Sequence, residues 1–384
     1  MFSSRLDWSL PTNPLSRLLQ EMRASGAAVL DLTESNPTAA GLEYPADRIT
    51  SALSDPRALR YEPHAAGLMA ARSAISDYYS GRVDPERILV TASTSEAYGL
   101  LFKLLADPGT EVLVPRPSYP LFEFLAALES VRVVHYPLVY HGRWSIDFEA
   151  LQDRITARTR AIVVVNPNNP TGSFLKRDEL LQLRAICREW KLPLISDGVF
   201  SDYGFEEDPA RVESLVHVPD VLTFSLSGLS KVVALPQLKL GWIVISGADE
   251  IRKDAFNRLE LIADTYLSVG APVQWAAREL LDLRSDMQRQ IMGRVRWNLD
   301  FLRKQIGEGS PWRVWNVEGG WYAVLEAPRI HSEEQWALTL LAEDRVLVQP
   351  GFFFDFEREA FLVISLLTPR DVFEEGVRRI LARG

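Results

Sequence analysis

Lys231 closes the segment Ser227-Gly228-Leu229-Ser230-Lys231, directly after the apolar run Val221 to Phe224 and eight residues before Lys239. An apolar setting at the end of a buried strand disfavours the ammonium form, and the neutral amine attacks carbonyls to form a Schiff base. A lone Ser-Lys carries little weight, because most lysines are solvated surface charges. Two further strand-like runs end in polar residues. Ala161 to Val165 leads into Asn166-Pro167-Asn168-Asn169-Pro170-Thr171-Gly172, and Leu194-Ile195-Ser196 leads into Asp197. Ligands of open α/β sheets bind outside the carboxyl ends of the strands, so Asn169, Asp197 and Lys231 are expected to converge on one crevice.

These residue types suit pyridoxal 5′-phosphate. Lys231 would hold it as a Schiff base, Asp197 would pair with the protonated ring nitrogen, and Asn169 would donate to the phenolic oxygen. Thr91-Ala92-Ser93-Thr94-Ser95-Glu96 follows another apolar run, Ile88 to Val90, and opens a helix. Its unpaired amides and hydroxyls suit a phosphate, although plain capping by Ser93 or Thr94 reads the string equally well.

The order and spacing of these segments resemble the class I/II aminotransferases, the fold-type I pyridoxal-phosphate enzymes, from about Leu32 to the C-terminus. The resemblance implies Lys231 and Asp197 as catalytic residues, and Thr94, Ser95 and Lys239 as phosphate ligands. Tyr119, in Pro117-Ser118-Tyr119-Pro120, is implied to stack on the cofactor ring. Tyr61, and with less textual support Ser268, is implied to reach the phosphate of a neighbouring subunit, hence a homodimer with a shared active site. Thr33-Glu34-Ser35-Asn36-Pro37 resembles a segment lining the substrate pocket, which makes Ser35 and Asn36 substrate contacts.

The chain departs from the family pattern at four places. Lys239 stands where an arginine is usual, keeping the charge and losing the fork. Phe200 replaces a tyrosine three residues after Asp197. Gly228 replaces a Ser or Thr three residues before the lysine, with Ser227 or Ser230 left to compensate. In Phe361-Leu362-Val363-Ile364-Ser365, Val363 occupies the place of the arginine that pairs with the substrate α-carboxylate. Arg370, Arg345 and Arg5 are candidates by position to replace it, each more ordinarily a surface charge.

The chemistry implied is transfer of an amino group from an amino acid-like donor to a 2-oxo acid through Lys231. A β-elimination lyase would use the same lysine and fold. A non-catalytic cofactor sensor would need a basic DNA-binding extension, for which the fold leaves no room.

These residues require an α/β scaffold with a mostly parallel central sheet covered by helices. Strand-like runs (Ile88 to Val90, Val112 to Val114, Val131 to Tyr136, Ala161 to Val165, Pro193 to Ser196, Val221 to Phe224, Gly241 to Ile245) alternate with helical ones. Pro14 to Ser25 reads as a helix capped by Asn13, and Ala65 to Tyr79 as a second. After Ala271 a long helical stretch runs to about Ile306, and strands return at Trp321 to Leu325, Arg345 to Gln349 and Phe361 to Leu366, around a helix at Glu333 to Glu343. The expected division is a large cofactor domain at 44–289 and a smaller lobe formed by 1–43 and 290–384.

The 384 residues exceed the roughly 250–300 at which single cores stop growing, which also argues for two lobes. A net charge of −9 without basic runs argues against nucleic-acid partners. The single cysteine, Cys187, sits in a helical pattern and reads as a buried thiol in a reducing compartment. No stretch resembles a signal peptide or a membrane span, so a cytoplasmic location is expected, with no membrane partner.

Overall fold

The computed structural model describes residues 2–6 and 13–383. Strand β1 (Leu30–Asp31) belongs to the smaller lobe. The large sheet follows with β2 (Ile88–Thr91), β3 (Glu111–Arg116), β4 (Arg132–Tyr140), β5 (Trp144–Ile146), β6 (Thr159–Val165), β7 (Leu194–Asp197), β8 (Thr223–Gly228) and β9 (Gly241–Ser246). Among the described residues it has eight strands in the order β2-β9-β8-β7-β6-β3-β4-β5. The pairs β4–β3–β6–β7–β8 are parallel, and β9 runs antiparallel to both β8 and β2.

Helices cover both faces, so β2, β7, β8 and β9 are buried at every position; β2 and β9 are accordingly mostly apolar, whereas β8 alternates Thr223, Ser225 and Ser227 with apolar residues although both its faces are covered. One face packs the helix Thr94–Leu105 and part of Asp249–Asp264 onto β6 to β9; the other packs Arg177–Trp190, with Cys187, onto β6 and β7.

The smaller lobe holds β10 (Arg313–Val314), β11 (Tyr322–Glu326), β12 (Val346–Leu347), β13 (Gln349–Pro350) and β14 (Phe361–Ser365). Its four-stranded antiparallel sheet is ordered β10-β11-β14-β13, while β12 pairs in parallel with β1. Asn13 caps the helix Pro14–Ala24 by accepting the Ser16 N–H at 2.7 Å, and that helix packs on Glu333–Asp344. The N-terminal segment is therefore built into the same lobe as the C-terminal third.

Two expectations shift. The helix expected from Ala65 spans Met69–Tyr78, and a helix that the sequence reading did not anticipate, Ala46–Leu53, precedes it. Gly67 at φ 91° turns the chain so tightly against Val90 that a Cβ there would lie 2.6 Å from it, and the helix starts only beyond that turn. The stretch after Ala271 is three helices, Ala271–Trp275, Ala277–Leu281 and Arg284–Gln305, not one. At the second break Leu283 N bonds to Leu280 O at 3.1 Å, three residues back, which tightens the turn and redirects the axis.

The lobes are tied by Lys176, whose side chain is only 3 % exposed and whose Nζ lies 2.8 Å from both Asp208 in the large lobe and Glu318 before β11. No helix among the described residues is long and apolar enough to cross a membrane.

Candidate active site

The carboxyl ends of β6, β7 and β8 open into a cavity of about 310 Å³, with Asn169, Asp197, Ser230 and Lys231 on its wall. The arrangement follows from what each turn does next. After β8 the chain makes one helical turn, Leu229–Val232, whose Leu229 and Val232 are buried in the core while Lys231 faces the cavity. Tyr203 Oη donates to the Lys231 carbonyl at 2.6 Å and Gln288 Nε2 to the Val232 carbonyl at 2.9 Å, so the turn is fixed from outside. Gly228 lets the chain pass close to β9, since a Cβ there would lie a tight 3.0 Å from Gly241 Cα and from the Leu240 carbonyl.

Lys231 Nζ makes no hydrogen bond among the described residues; it lies 4.5 Å from the ring centre of Trp321 and 5.3 Å from that of Phe200. Burial lowers its pKa to about 8, against the pull of Asp197 in the opposite direction. Burial likewise raises Asp197 to about 6, while the Val199 N–H, the Tyr98 hydroxyl and the charge of Lys231 act to lower it. Tyr98 Oη donates to Asp197 Oδ2, and Val199 N to Oδ1, each at 3.2 Å.

The Asn-Pro-Asn-Asn-Pro-Thr-Gly turn sorts its asparagines by what they touch. Asn166 bridges Val212 O and Leu175 N, at 2.8 and 2.9 Å. Asn168 donates to Pro117 O at 3.0 Å and accepts from Ser118 Oγ at 3.2 Å, which fixes the segment carrying Tyr119. Asn169 alone faces the cavity, and its buried Oδ1 has no partner. Tyr119 lines the wall, its pKa pushed up to about 12 by burial.

On the other side the helix Thr94–Leu105 points its N-terminus at the cavity. Ser93 caps it by accepting Glu96 N at 3.1 Å, and Thr94 and Ser95 line the wall. Ser93 lines the wall as well, so capping and cavity lining meet in one residue. Lys239, held in the left-handed region at φ 54° before β9, brings a second cation to the same end.

Ser35 joins this wall, but Asn36 does not: its side chain accepts from Thr38 N and Oγ1, at 3.1 and 2.8 Å, closing a local turn. Tyr61 lies elsewhere, 82 % exposed, on a second cavity of about 210 Å³ that also includes Ser268. None of the three candidate arginines lines the first cavity. Arg370 lies over Trp297, Arg345 ends the helix Glu333–Asp344, and Arg5 donates to Ser130. Val363 is fully buried on β14.

Tyr98, Trp321 and Tyr322 escaped the sequence reading. Gly319-Gly320-Trp321-Tyr322 carries only a strand signal, and Tyr98 reads as one more apolar position on a helix; Trp321 and Tyr322 gain their places from lobe-to-lobe packing, and Tyr98 from the packing of its helix on the large sheet.

The wall offers an amine with a lowered pKa, a buried acid, the side-chain amide of Asn169, and an anion cradle made of a helix N-terminus, hydroxyls and Lys239. That set fits pyridoxal phosphate, which presents a carbonyl, a protonated ring nitrogen, a phenolic oxygen and a phosphate, and it defines a fold-type I pyridoxal-phosphate enzyme. Residues 27–380 match the family model described as aminotransferase class I and II, and the chain belongs to that family. The glutamate-pyruvate aminotransferase of Escherichia coli (strain K12) is 27 % identical over 371 residues, covering 94 % of this chain and 91 % of that protein. The alanine aminotransferase of Mycobacterium tuberculosis (strain ATCC 25618 / H37Rv) is 28 % identical over 375 residues, covering 94 % and 86 %. Among solved structures, the alanine aminotransferase of Pyrococcus furiosus superposes with a TM-score of 0.90 at 25 % identity, covering 100 % of this chain and 99 % of that one. The chain is a pyridoxal-phosphate-dependent aminotransferase, of a family that works on amino acids and 2-oxo acids.

Proposed function

We propose that Lys231 Nζ is the attachment point for the cofactor and, once released by the donor amine, the group that moves the proton from the donor carbon. The observation that carries this is the placement of Lys231 on one cavity wall with Asp197, at the ends of adjacent strands, where desolvation lowers the amine pKa to about 8 and leaves a usable neutral fraction near neutrality. Bound there, pyridoxal phosphate supplies a carbonyl for the amino group and an electron-withdrawing ring. Asp197 keeps the ring nitrogen protonated, and Tyr98 and the Val199 amide hold that carboxylate ionised and oriented. Asn169 would donate to the phenolic oxygen and Tyr119 would cover one face of the ring. Thr94, Ser95, Ser230, Lys239 and the helix amides would receive the phosphate.

Tyr61 and Ser268 serve the site of a second copy. The support is a face bearing Tyr61 and Leu59, 82 % and 89 % exposed, together with the exposed Tyr266 and Leu267, around the second cavity, an apolar surface unusual for an isolated subunit. We place the working division at 44–289 for the cofactor domain, with 1–43 and 290–384 forming the lobe that closes on it. The buried thiol of Cys187, its pKa pushed up to about 12, is compatible with a cytoplasmic setting.

Lys231→Ala is the test. The variant, loaded with cofactor and passed through a desalting column, is expected to lose the absorption of the lysine-bound cofactor and all transamination; wild-type turnover would overturn the assignment.

A further inference from the structure

The turn that carries Lys231, Leu229–Val232, is too short to hold itself. A continued helix would give the Lys231 carbonyl the N–H of Leu235. Instead Ala234, in the left-handed region at φ 57°, ends the turn, and the Leu235 N–H goes back to Leu229 O at 3.0 Å. Side chains from three other segments take the carbonyls so released. Tyr203 Oη donates to Lys231 O at 2.6 Å, Gln288 Nε2 to Val232 O at 2.9 Å, and Tyr44 Oη to Ala234 O at 2.8 Å. Gln288 Nε2 also donates to Asp202 Oδ2 at 2.6 Å, so Asp202 and Tyr203, neighbours in sequence, support adjacent carbonyls of the turn.

Tyr203 reaches Lys231 from the loop that follows Asp197, and it is fully buried within its own subunit, with no surface left for a second copy to touch. The same residue holds the small lobe. Its carbonyl accepts Gly320 N at 2.9 Å, Gly204 bridges to Gly319, and Phe205 N donates to Glu318 O at 2.9 Å. The approach is close enough that a Cβ on Gly319 would lie 2.4 Å from Tyr203 O. The Tyr203 ring packs edge-on to Trp321 at 5.2 Å between centres, and the Trp321 ring centre lies 4.5 Å from Lys231 Nζ. One residue therefore touches both the main chain of Lys231 and the small-lobe ring beside its amine.

The inference drawn from this rests on the reading of Lys231 as both attachment point and proton carrier. While Lys231 carries the cofactor, a covalent bond places Nζ. Once the donor amine has displaced it, the place of Nζ depends on its own backbone and on the rings around it, and proton transfer falls off steeply with misplacement. We propose that Tyr203 is a positioning residue for the released Lys231: its hydroxyl fixes that residue's carbonyl while its own carbonyl and ring fix Gly320 and Trp321, so that the amine and the wall beside it keep one register. Its loss therefore weakens proton transfer far more than cofactor attachment.

The test compares Tyr203→Phe with Tyr136→Phe, which removes an equally buried hydroxyl that donates to Val163 O at 2.7 Å in the large sheet. Both variants are loaded with pyridoxal phosphate and mixed rapidly with whichever of the standard L-amino acids reacts fastest with the wild type, and with its α-deuterated form. Tyr203→Phe is expected to keep the lysine-bound absorption and the cofactor affinity. Its rate of absorption loss at saturating donor should fall about tenfold, one hydrogen bond's worth of positioning, with the half-saturating donor concentration nearly unchanged and the deuterated donor slower than the protiated one. Tyr136→Phe should keep the wild-type rate. In cofactor-free protein, amide hydrogen exchange over Leu229 to Leu235 should quicken in Tyr203→Phe and not in Tyr136→Phe. A wild-type rate in Tyr203→Phe, an equal loss in Tyr136→Phe, a slowing without an isotope effect, unchanged exchange in that segment, or loss of the lysine-bound absorption in Tyr203→Phe each overturns the inference and leaves Lys231 as the attachment point. Absence of that absorption in loaded wild type, or no reaction there with any of the donors, overturns the reading of Lys231 itself, and the inference with it.

Discussion

Tyr98→Phe tests how the buried acid is held. The substitution keeps the ring that packs edge-on to Phe122 and against Phe102, and removes only the hydroxyl donating to Asp197 Oδ2 at 3.2 Å. Asp197 then keeps one side-chain-directed donor, the Val199 amide. A hydrogen bond to a charged group contributes about 1.5–3 kcal/mol, and the length of this one places it at the low end. At about 1.4 kcal/mol per pKa unit the loss raises Asp197 by about one unit, from about 6 to about 7. The protonated carboxyl cannot pair with a protonated ring nitrogen, so cofactor affinity should fall as pH drops through the pKa of the cofactor-free protein. The assay is cofactor affinity by absorbance titration from pH 5 to 9. The pH at which affinity begins to fall should move upward by about one unit in the variant, with affinity above pH 8 nearly unchanged. An unmoved midpoint would refute the claim that Tyr98 sets the ionisation of Asp197.

The remaining predictions concern groups whose surroundings are as well defined. In cofactor-free protein, reductive methylation of Lys231 read by peptide mass spectrometry should accelerate with pH and level off above about 8, because the reactive neutral amine accumulates through that pKa; a rise continuing to pH 10 would contradict a depressed value. Lys176→Met leaves Asp208 and Glu318, both partly solvated, without their shared cation, and the urea midpoint should fall by the equivalent of about 1–2 kcal/mol; an unchanged midpoint would show that the triad does not bind the lobes together. Cys187, buried and with its pKa pushed up to about 12, should resist a thiol reagent in the native protein at pH 8 and react once in denaturant. Rapid native labelling would mean that the helix Arg177–Trp190 opens.

The sequence by itself determined the strands that carry the chemistry. The apolar runs before Asn169 and Asp197 are legible because strands covered on both faces favour apolar residues, and because the polar residue then falls where the sheet ends; before Lys231 the strand interleaves Ser225 and Ser227 with its apolar residues, and only Val221 to Phe224 announces it. Asn13, Pro14 and Gly26 likewise announce a helix whose cap and termination are local. Tertiary structure alone showed what engages the other two asparagines of that turn: Val212 and Leu175 claim Asn166, and Pro117 claims Asn168. It also decided that Asn36 closes its own turn, that Trp321 and Tyr322 of the smaller lobe meet Lys231 and Ser35, and that Tyr98 supports an acid distant in sequence. Periodicity reports which face of an element is buried; which neighbour that face meets is set by how two lobes close, and no local signal records it.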